Sequence, residues 1–160
     1  MITGTHIDIA PRFAAPGFSA AASRGPWSER IAQAVASAHV LVIEDEAMIA
    51  WMIESLLEDM GFTSIAIASD GETALRLAAA ETPTLLISDI NLGAGPDGIE
   101  TVALIRERSA APVVFVSGYA GPDARARIDR VIGDAAVLRK PIVERPLRDA
   151  IEAVLTAKAH

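Results

Sequence analysis

His39-Val40-Leu41-Val42-Ile43 runs directly into Glu44-Asp45-Glu46. Val40 to Ile43 form an unbroken aliphatic run with no polar alternation, which is the pattern of a strand buried on both faces. Such strands sit in parallel sheets covered by helices, so the acids that follow mark a strand's carboxyl end. The same grammar recurs downstream. Thr84–Ser88 is a strand closed by Asp89, Pro112–Ser117 is a strand ending in a hydroxyl, and Ala135–Arg139 is a strand followed by Lys140-Pro141. Ser64–Ala68 supplies a fifth apolar run.

Helical spacing fills the gaps between these strands. Ala47–Met60 places Ile49, Met52, Ile53, Leu56 and Met60 on one side, and Gly61 stops it. Asp70-Gly71 turns into a helix over Glu72–Ala80. Gly98–Arg108 and Pro122–Ile132 are the next two, and Arg145–Ala157 closes the chain with Leu147, Ala150, Ile151, Val154 and Leu155 as its buried stripe. Strands alternating with helices predict an α/β fold, a five-stranded parallel sheet with helices on both faces in the flavodoxin-like order 2-1-3-4-5. Ligands of such sheets bind beyond the carboxyl ends of the strands, where the first and third diverge.

Residues 1–38 have a different texture. Pro11, Pro16 and Pro26 and many alanines break any period, so 1–27 reads as a flexible arm. Ser28 is placed to N-cap a short helix through about Ala38. The expected organisation is therefore an N-terminal extension over 1–38 and a folded domain over 39–160.

Composition narrows the function classes. The chain has 160 residues, 51% hydrophobic and 4% aromatic, so the core must be aliphatic. A net charge of −7 lacks the basic footprint of a nucleic-acid binder. There is no cysteine, which excludes disulfides and thiolate metal sites and suits a cytoplasmic location. No apolar run reaches the roughly 20 residues that span a bilayer. His6, His39 and His160 are too scattered to build a metal site.

The predicted sheet gathers Glu44, Asp45, Asp89, Ser117 and Lys140 along one edge. Crowded carboxylates repel and stay ionised only beside a counter-charge. A hard divalent cation such as Mg²⁺ serves, because it favours a few carboxylates, waters and phosphate oxygens. A carboxylate in that setting can act as nucleophile toward an activated phosphoryl group, while a lysine and a hydroxyl balance the phosphoryl oxygens.

Val40-Leu-Val-Ile-Glu-Asp-Glu46, Leu85-Leu-Ile-Ser-Asp-Ile-Asn-Leu92, Val113-Val-Phe-Val-Ser-Gly-Tyr119 and Leu138-Arg-Lys-Pro141 together resemble the receiver domain of bacterial two-component response regulators. The resemblance covers about residues 39–157. It implies that Asp89 is the phospho-acceptor, that Asp45 binds Mg²⁺ directly and Glu44 through water, and that the backbone carbonyl of Asn91 completes the protein ligands. It further implies Ser117 as the switch hydroxyl, Lys140 as the lysine that pairs with the phosphoryl group, and a cis bond before Pro141. With no output domain following, the resemblance is to a single-domain response regulator. A sensor histidine kinase would then be the phosphodonor, and a downstream protein or a histidine phosphotransferase the partner, with the chain a monomer or weak dimer.

The match has departures. Gly93 stands where the family loop places a proline, Pro96 comes later, and the loop is one residue longer. Val137 occupies the place of the aromatic residue that commonly precedes the lysine. Tyr119 is a candidate for a related gating role, and the Phe-x-Ser-Gly-Tyr pattern resembles a variant receiver group. Met48 and Trp51 lie off the buried stripe of their helix and are candidates for kinase docking. Arg125, Arg127 and Arg130 share one helix. Two alternatives use the same residues differently. A phosphatase of the haloacid dehalogenase type also uses an Asp nucleophile with Mg²⁺, but carries its Asp-x-Asp pair on the first strand. Gly93-Ala-Gly-Pro-Asp-Gly98 formally fits a dinucleotide fingerprint, but follows the third strand rather than the first.

Overall fold

The computed structural model describes residues 27–158. The elements run α1 (Glu29–Ala36), β1 (His39–Ile43), α2 (Ala47–Asp59), β2 (Ser64–Ala68), α3 (Gly71–Ala80), β3 (Leu85–Asp89), α4 (Gly98–Arg106), β4 (Val113–Ser117), α5 (Pro122–Val131), β5 (Ala135–Arg139) and α6 (Glu144–Lys158). All strand pairs are parallel, in the order β2-β1-β3-β4-β5. The order expected from the sequence is therefore the observed one.

Strand pleating explains the two cores. Successive side chains point to opposite faces. Val40 and Val42 of β1, with Leu85 and Ile87 of β3, pack against α1, α2 and α6. Leu41, Ile43, Leu86 and Phe115 pack on the other face, against α3, α4 and α5. The inner strands β3 and β4 are buried at every position, whereas the edge strands β2 and β5 are only half-buried.

Helix ends follow local chemistry. Helix α2 closes with a Schellman pattern: the Gly61 amide donates to Glu58 O and the Phe62 amide to Leu57 O, with Gly61 at φ +99°. Asp70 caps α3 by accepting from the Thr73 amide at 2.7 Å, and this bond holds its carboxyl below the usual range. Asp97 caps α4 in the same way through the Glu100 amide at 2.9 Å. Gly71 is required where α3 meets α4, since a Cβ there would lie 2.4 Å from Thr101 Oγ1.

Several element ends move by one or two residues, and two differences bear on the site and the core. The third strand begins at Leu85 rather than Thr84 and includes Asp89, the residue expected to close it. Trp27, assigned to the arm by its proline- and glycine-rich surroundings, is buried. Its indole N–H donates to Met60 O at 2.8 Å, and its ring meets Phe62 edge-on at 6.4 Å between centroids. Ile31 and Val35 of α1 join the same core layer, where α1 lies against α6. The rest of the arm, residues 1–26, lies outside the described residues.

Candidate functional site

Parallel pairing places every strand's carboxyl end on one side of the sheet. From there β1 leads into α2 on one face and β3 leads into α4 on the other, which opens a crevice between them. Glu44 and Asp45 follow β1, Asp89 ends β3, Ser117 ends β4, and Lys140 follows β5.

Lys140 organises the crevice. Its Nζ lies 2.9 Å from Glu44 Oε2, 3.0 Å from Asp89 Oδ2 and 3.9 Å from Glu46 Oε1. Its backbone amide donates to Ser117 O at 2.9 Å, and the Lys140–Pro141 peptide is cis. The other oxygen of Asp89, Oδ1, accepts from the Asn91 amide at 3.1 Å. Glu44 Oε1 accepts from the Glu46 amide at 3.1 Å.

The electrostatics are under tension. Glu44 and Asp89 are 1% and 5% exposed, respectively. Burial is the largest influence on Glu44 and pushes its carboxyl above the ordinary 4.5; Lys140 and the Glu46 amide pull the other way without reversing the shift. Burial also works to lower Lys140, but its pairing with Glu44 and Asp89 outweighs that and raises it above 10.5. Lys140 Nζ is the ion-pair partner of Glu44 Oε2, a buried oxygen with no further hydrogen-bond partner.

That buried oxygen bears on metal binding. Glu44, Asp45 and Asp89 each offer an oxygen, all within 4.8 Å of one another. Only oxygen donors are present, and the buried Glu44 Oε2 has no partner beyond its ion pair with Lys140, so the set fits a hard divalent cation of the Mg²⁺ kind.

The structure brings Glu44, Asp45, Asp89 and Lys140 together, but turns Ser117 elsewhere. The Ser117 hydroxyl donates to Tyr119 O at 2.9 Å and accepts from the Tyr119 amide at 3.3 Å, which closes a tight turn. The Tyr119 ring is 72% exposed. Met48 and Trp51 are likewise exposed, at 77% and 64%, on the first turns of α2 beside the crevice.

Two positions carry weight that spacing alone did not assign. Glu46 reaches Lys140, and the signal was present in the run of three acids. Gly98 sits against the end of β3: a Cβ there would lie 1.7 Å from Asp89 O, and its amide donates to Ile90 O at 2.9 Å. Close packing against Asp89 thus explains the last glycine of the pattern that resembled a dinucleotide fingerprint.

A doubly wound sheet with carboxylates and a lysine converging at its switch point defines a class of α/β domains suited to metal and phosphate chemistry. Within that class, residues 40–152 match the response regulator receiver domain, and the chain belongs to that family. It is 33% identical over 128 residues to the transcriptional regulatory protein PdtaR of Mycobacterium tuberculosis, a match covering 80% of this chain and 60% of that regulator's length. It is 31% identical to the chemotaxis protein CheY of Pseudomonas aeruginosa, covering 72% of this chain and 94% of CheY. Among solved structures, a response regulator receiver protein from Sinorhizobium medicae superposes with a TM-score of 0.68 at 27% identity, covering 76% of this chain and 96% of that one. Neither the phosphatase nor the dinucleotide alternative is favoured by these matches. Among the described residues no helix is long and apolar enough to cross a membrane.

Proposed function

We propose that this chain is a cytoplasmic response regulator receiver that accepts a phosphoryl group on Asp89 from a sensor histidine kinase. The observation that carries this reading is Asp89 at the switch-point crevice, 3.0 Å from the Lys140 ammonium and within 4.8 Å of two further acids. An Asp89 carboxylate oxygen attacks phosphorus as the donor's phosphorus–nitrogen bond breaks, and the electron pair returns to the imidazole. Lys140 then exchanges carboxylate partners for phosphoryl oxygens. Ser117, released from the Tyr119 turn, donates its hydroxyl to the same oxygens, and Tyr119 gates that movement.

Glu44, Asp45, Asp89 and the carbonyl of Asn91 would hold Mg²⁺. When bound, the ion neutralises the charge that develops on the transferring phosphoryl group. The three clustered carboxylates, with Glu44 buried and only Lys140 to offset its charge, support this assignment. Met48 and Trp51 form the apolar anchor for the kinase. The chain acts as a signalling acceptor rather than an enzyme on other substrates. It passes its state to a downstream protein or a histidine phosphotransferase, or serves as a phosphoryl shuttle or sink, as a monomer or weak dimer and without contacting nucleic acid directly.

The test is intact-mass measurement after incubation with Mg²⁺ and either acetyl phosphate or a phosphorylated kinase. Wild type should gain one phosphoryl group, and Asp89→Asn none. Wild type that gains nothing from either donor would sink the proposal.

A further inference from the structure

Strand β2 is an outer strand of the sheet and pairs only with β1. Bonds in a parallel pair engage every second residue of each strand. The Glu44 amide donates to Ala68 O at 3.0 Å, which fixes the phase of this ladder. Ser64, Ala66 and Ala68 therefore bond β1, while the amides and carbonyls of Ile65 and Ile67 point outward. Among the described residues no backbone group meets that outward row. Thr63–Ser69 holds neither a charge nor a proline, the residues that blunt an exposed edge. The opposite outer strand, β5, is guarded by Asp134 before it and Arg139 at its end. Ile67 leaves 36% of its surface exposed, so apolar side chain accompanies the open ladder.

We propose that β2 pairs with β2 of a second copy of this chain, antiparallel about a two-fold axis at Ala66. An extended row of outward amides and carbonyls is matched by another extended strand. The register follows from which groups are open. A two-fold axis at Ala66 sets Ile65 opposite Ile67 of the second copy, and Ile67 opposite its Ile65. Both members of each pair present outward groups, so each pair exchanges both hydrogen bonds. A shift by one residue would set outward groups against inward ones and lose those bonds, and a shift by two would shorten the overlap. Opposed isoleucines add a favourable cross-strand contact, and no like charges meet along Thr63–Ser69. Ala66 meets its own copy at a non-hydrogen-bonded position, where Cα atoms approach to about 4.5 Å and a small side chain fits. The contact is isologous and closes after two copies. It goes beyond phosphoryl acceptance and does not depend on it.

The test is amide hydrogen exchange read by NMR on the unphosphorylated full chain. In about 0.15 M salt the net charge of −7 on each copy is screened beyond about 8 Å. So short an interface implies a dissociation constant on the order of 0.1 mM. Raising the protein from about 0.02 to about 1 mM should then slow exchange at Ile65 and Ile67 about fourfold, in step with the fall in monomer fraction. The Ser64, Ala66 and Ala68 amides, already bonded to β1, should not follow. Sedimentation of two surface variants checks the register, which opposes Thr63 to Ser69 of the second copy. Thr63→Glu/Ser69→Glu sets like charges opposite and should weaken association about threefold or more, whereas Thr63→Glu/Ser69→Lys should tighten it. Exchange that is independent of concentration, or association that leaves Ile65 and Ile67 unchanged, would overturn the proposal. So would equal dimerisation of the two variants, or pairing of β2 with the β5 edge of another copy, which gives filaments in place of dimers.

Discussion

Replacing Lys140 with methionine keeps much of the side chain's bulk and removes the cation that holds Glu44 and Asp89. The two contacts, at 2.9 and 3.0 Å, would each be worth about 5.5 kcal/mol at an effective dielectric constant of ~20. Desolvation of the three charges offsets most of that gain, so the net loss is set by the carboxylates left without a partner. Breaking a fully buried pair costs about 3–5 kcal/mol. The Lys140 side chain retains 15% exposure at the crevice mouth, which lets water in, so we expect a loss of about 2–3 kcal/mol. Urea denaturation followed by far-UV circular dichroism in EDTA near neutral pH reads this directly.

Mg²⁺ supplies the discriminating arm. A ligand that binds only the folded state at 100 times its dissociation constant adds about 2.7 kcal/mol. With its competing ammonium gone, Lys140→Met should recover more stability from Mg²⁺ than wild type does. The pH dependence has a definite sign. The contribution of Lys140 is complete below 10.5 and is lost as pH rises through its higher folded value, so the two proteins converge in strong alkali. They also converge in acid. The burial penalty of Glu44 is present above its raised folded pKa and is relieved as pH falls toward 4.5. A loss under 0.5 kcal/mol in EDTA, or equal Mg²⁺ stabilisation of both proteins, would refute the view that Lys140 stands in for a second counter-charge.

Glu46→Gln should change stability by under about 0.5 kcal/mol, since its contact with Lys140 is long and its side chain is 66% exposed; thermal denaturation checks it. Trp27→Ala should cost about 3–5 kcal/mol through lost aromatic burial, whereas Trp27→Phe should cost only about 1 kcal/mol for the hydrogen bond to Met60; paired urea curves separate the two. Gly98→Ala drives a methyl group into the Asp89 carbonyl and should lose about 3 kcal/mol, together with much of the phosphoryl uptake measured by intact mass.

Strand positions were legible because every strand is a short aliphatic run that stops at a polar residue. Parallel pairing then fixed which polar residues meet, so Glu44, Asp45, Asp89 and Lys140 could be placed side by side from spacing alone. Side-chain contacts to particular backbone atoms were not legible. Trp27 is one case, since its partner is the carbonyl of Met60 and its neighbour is Phe62. Ser117 is another: its strand end was evident, but its turn onto Tyr119 depends on loop geometry that no residue pattern announces. Arg127 looked equivalent to Arg125 and Arg130 on the helix, and only the position of the α4 cap at Asp97 distinguishes it.

The opposed settings of the two tryptophans give the chain two separate optical reporters. Trp27 lies in the core with its indole N–H bonded, so its fluorescence should be blue-shifted, resistant to iodide, and lost only when the fold itself opens. Trp51 stands in solvent near the crevice, so its emission should be red-shifted and readily quenched until a partner covers it. With no third tryptophan in the sequence to blur them, each single Trp→Phe variant isolates one signal. Unfolding and docking can then be followed in the same cuvette without an attached label.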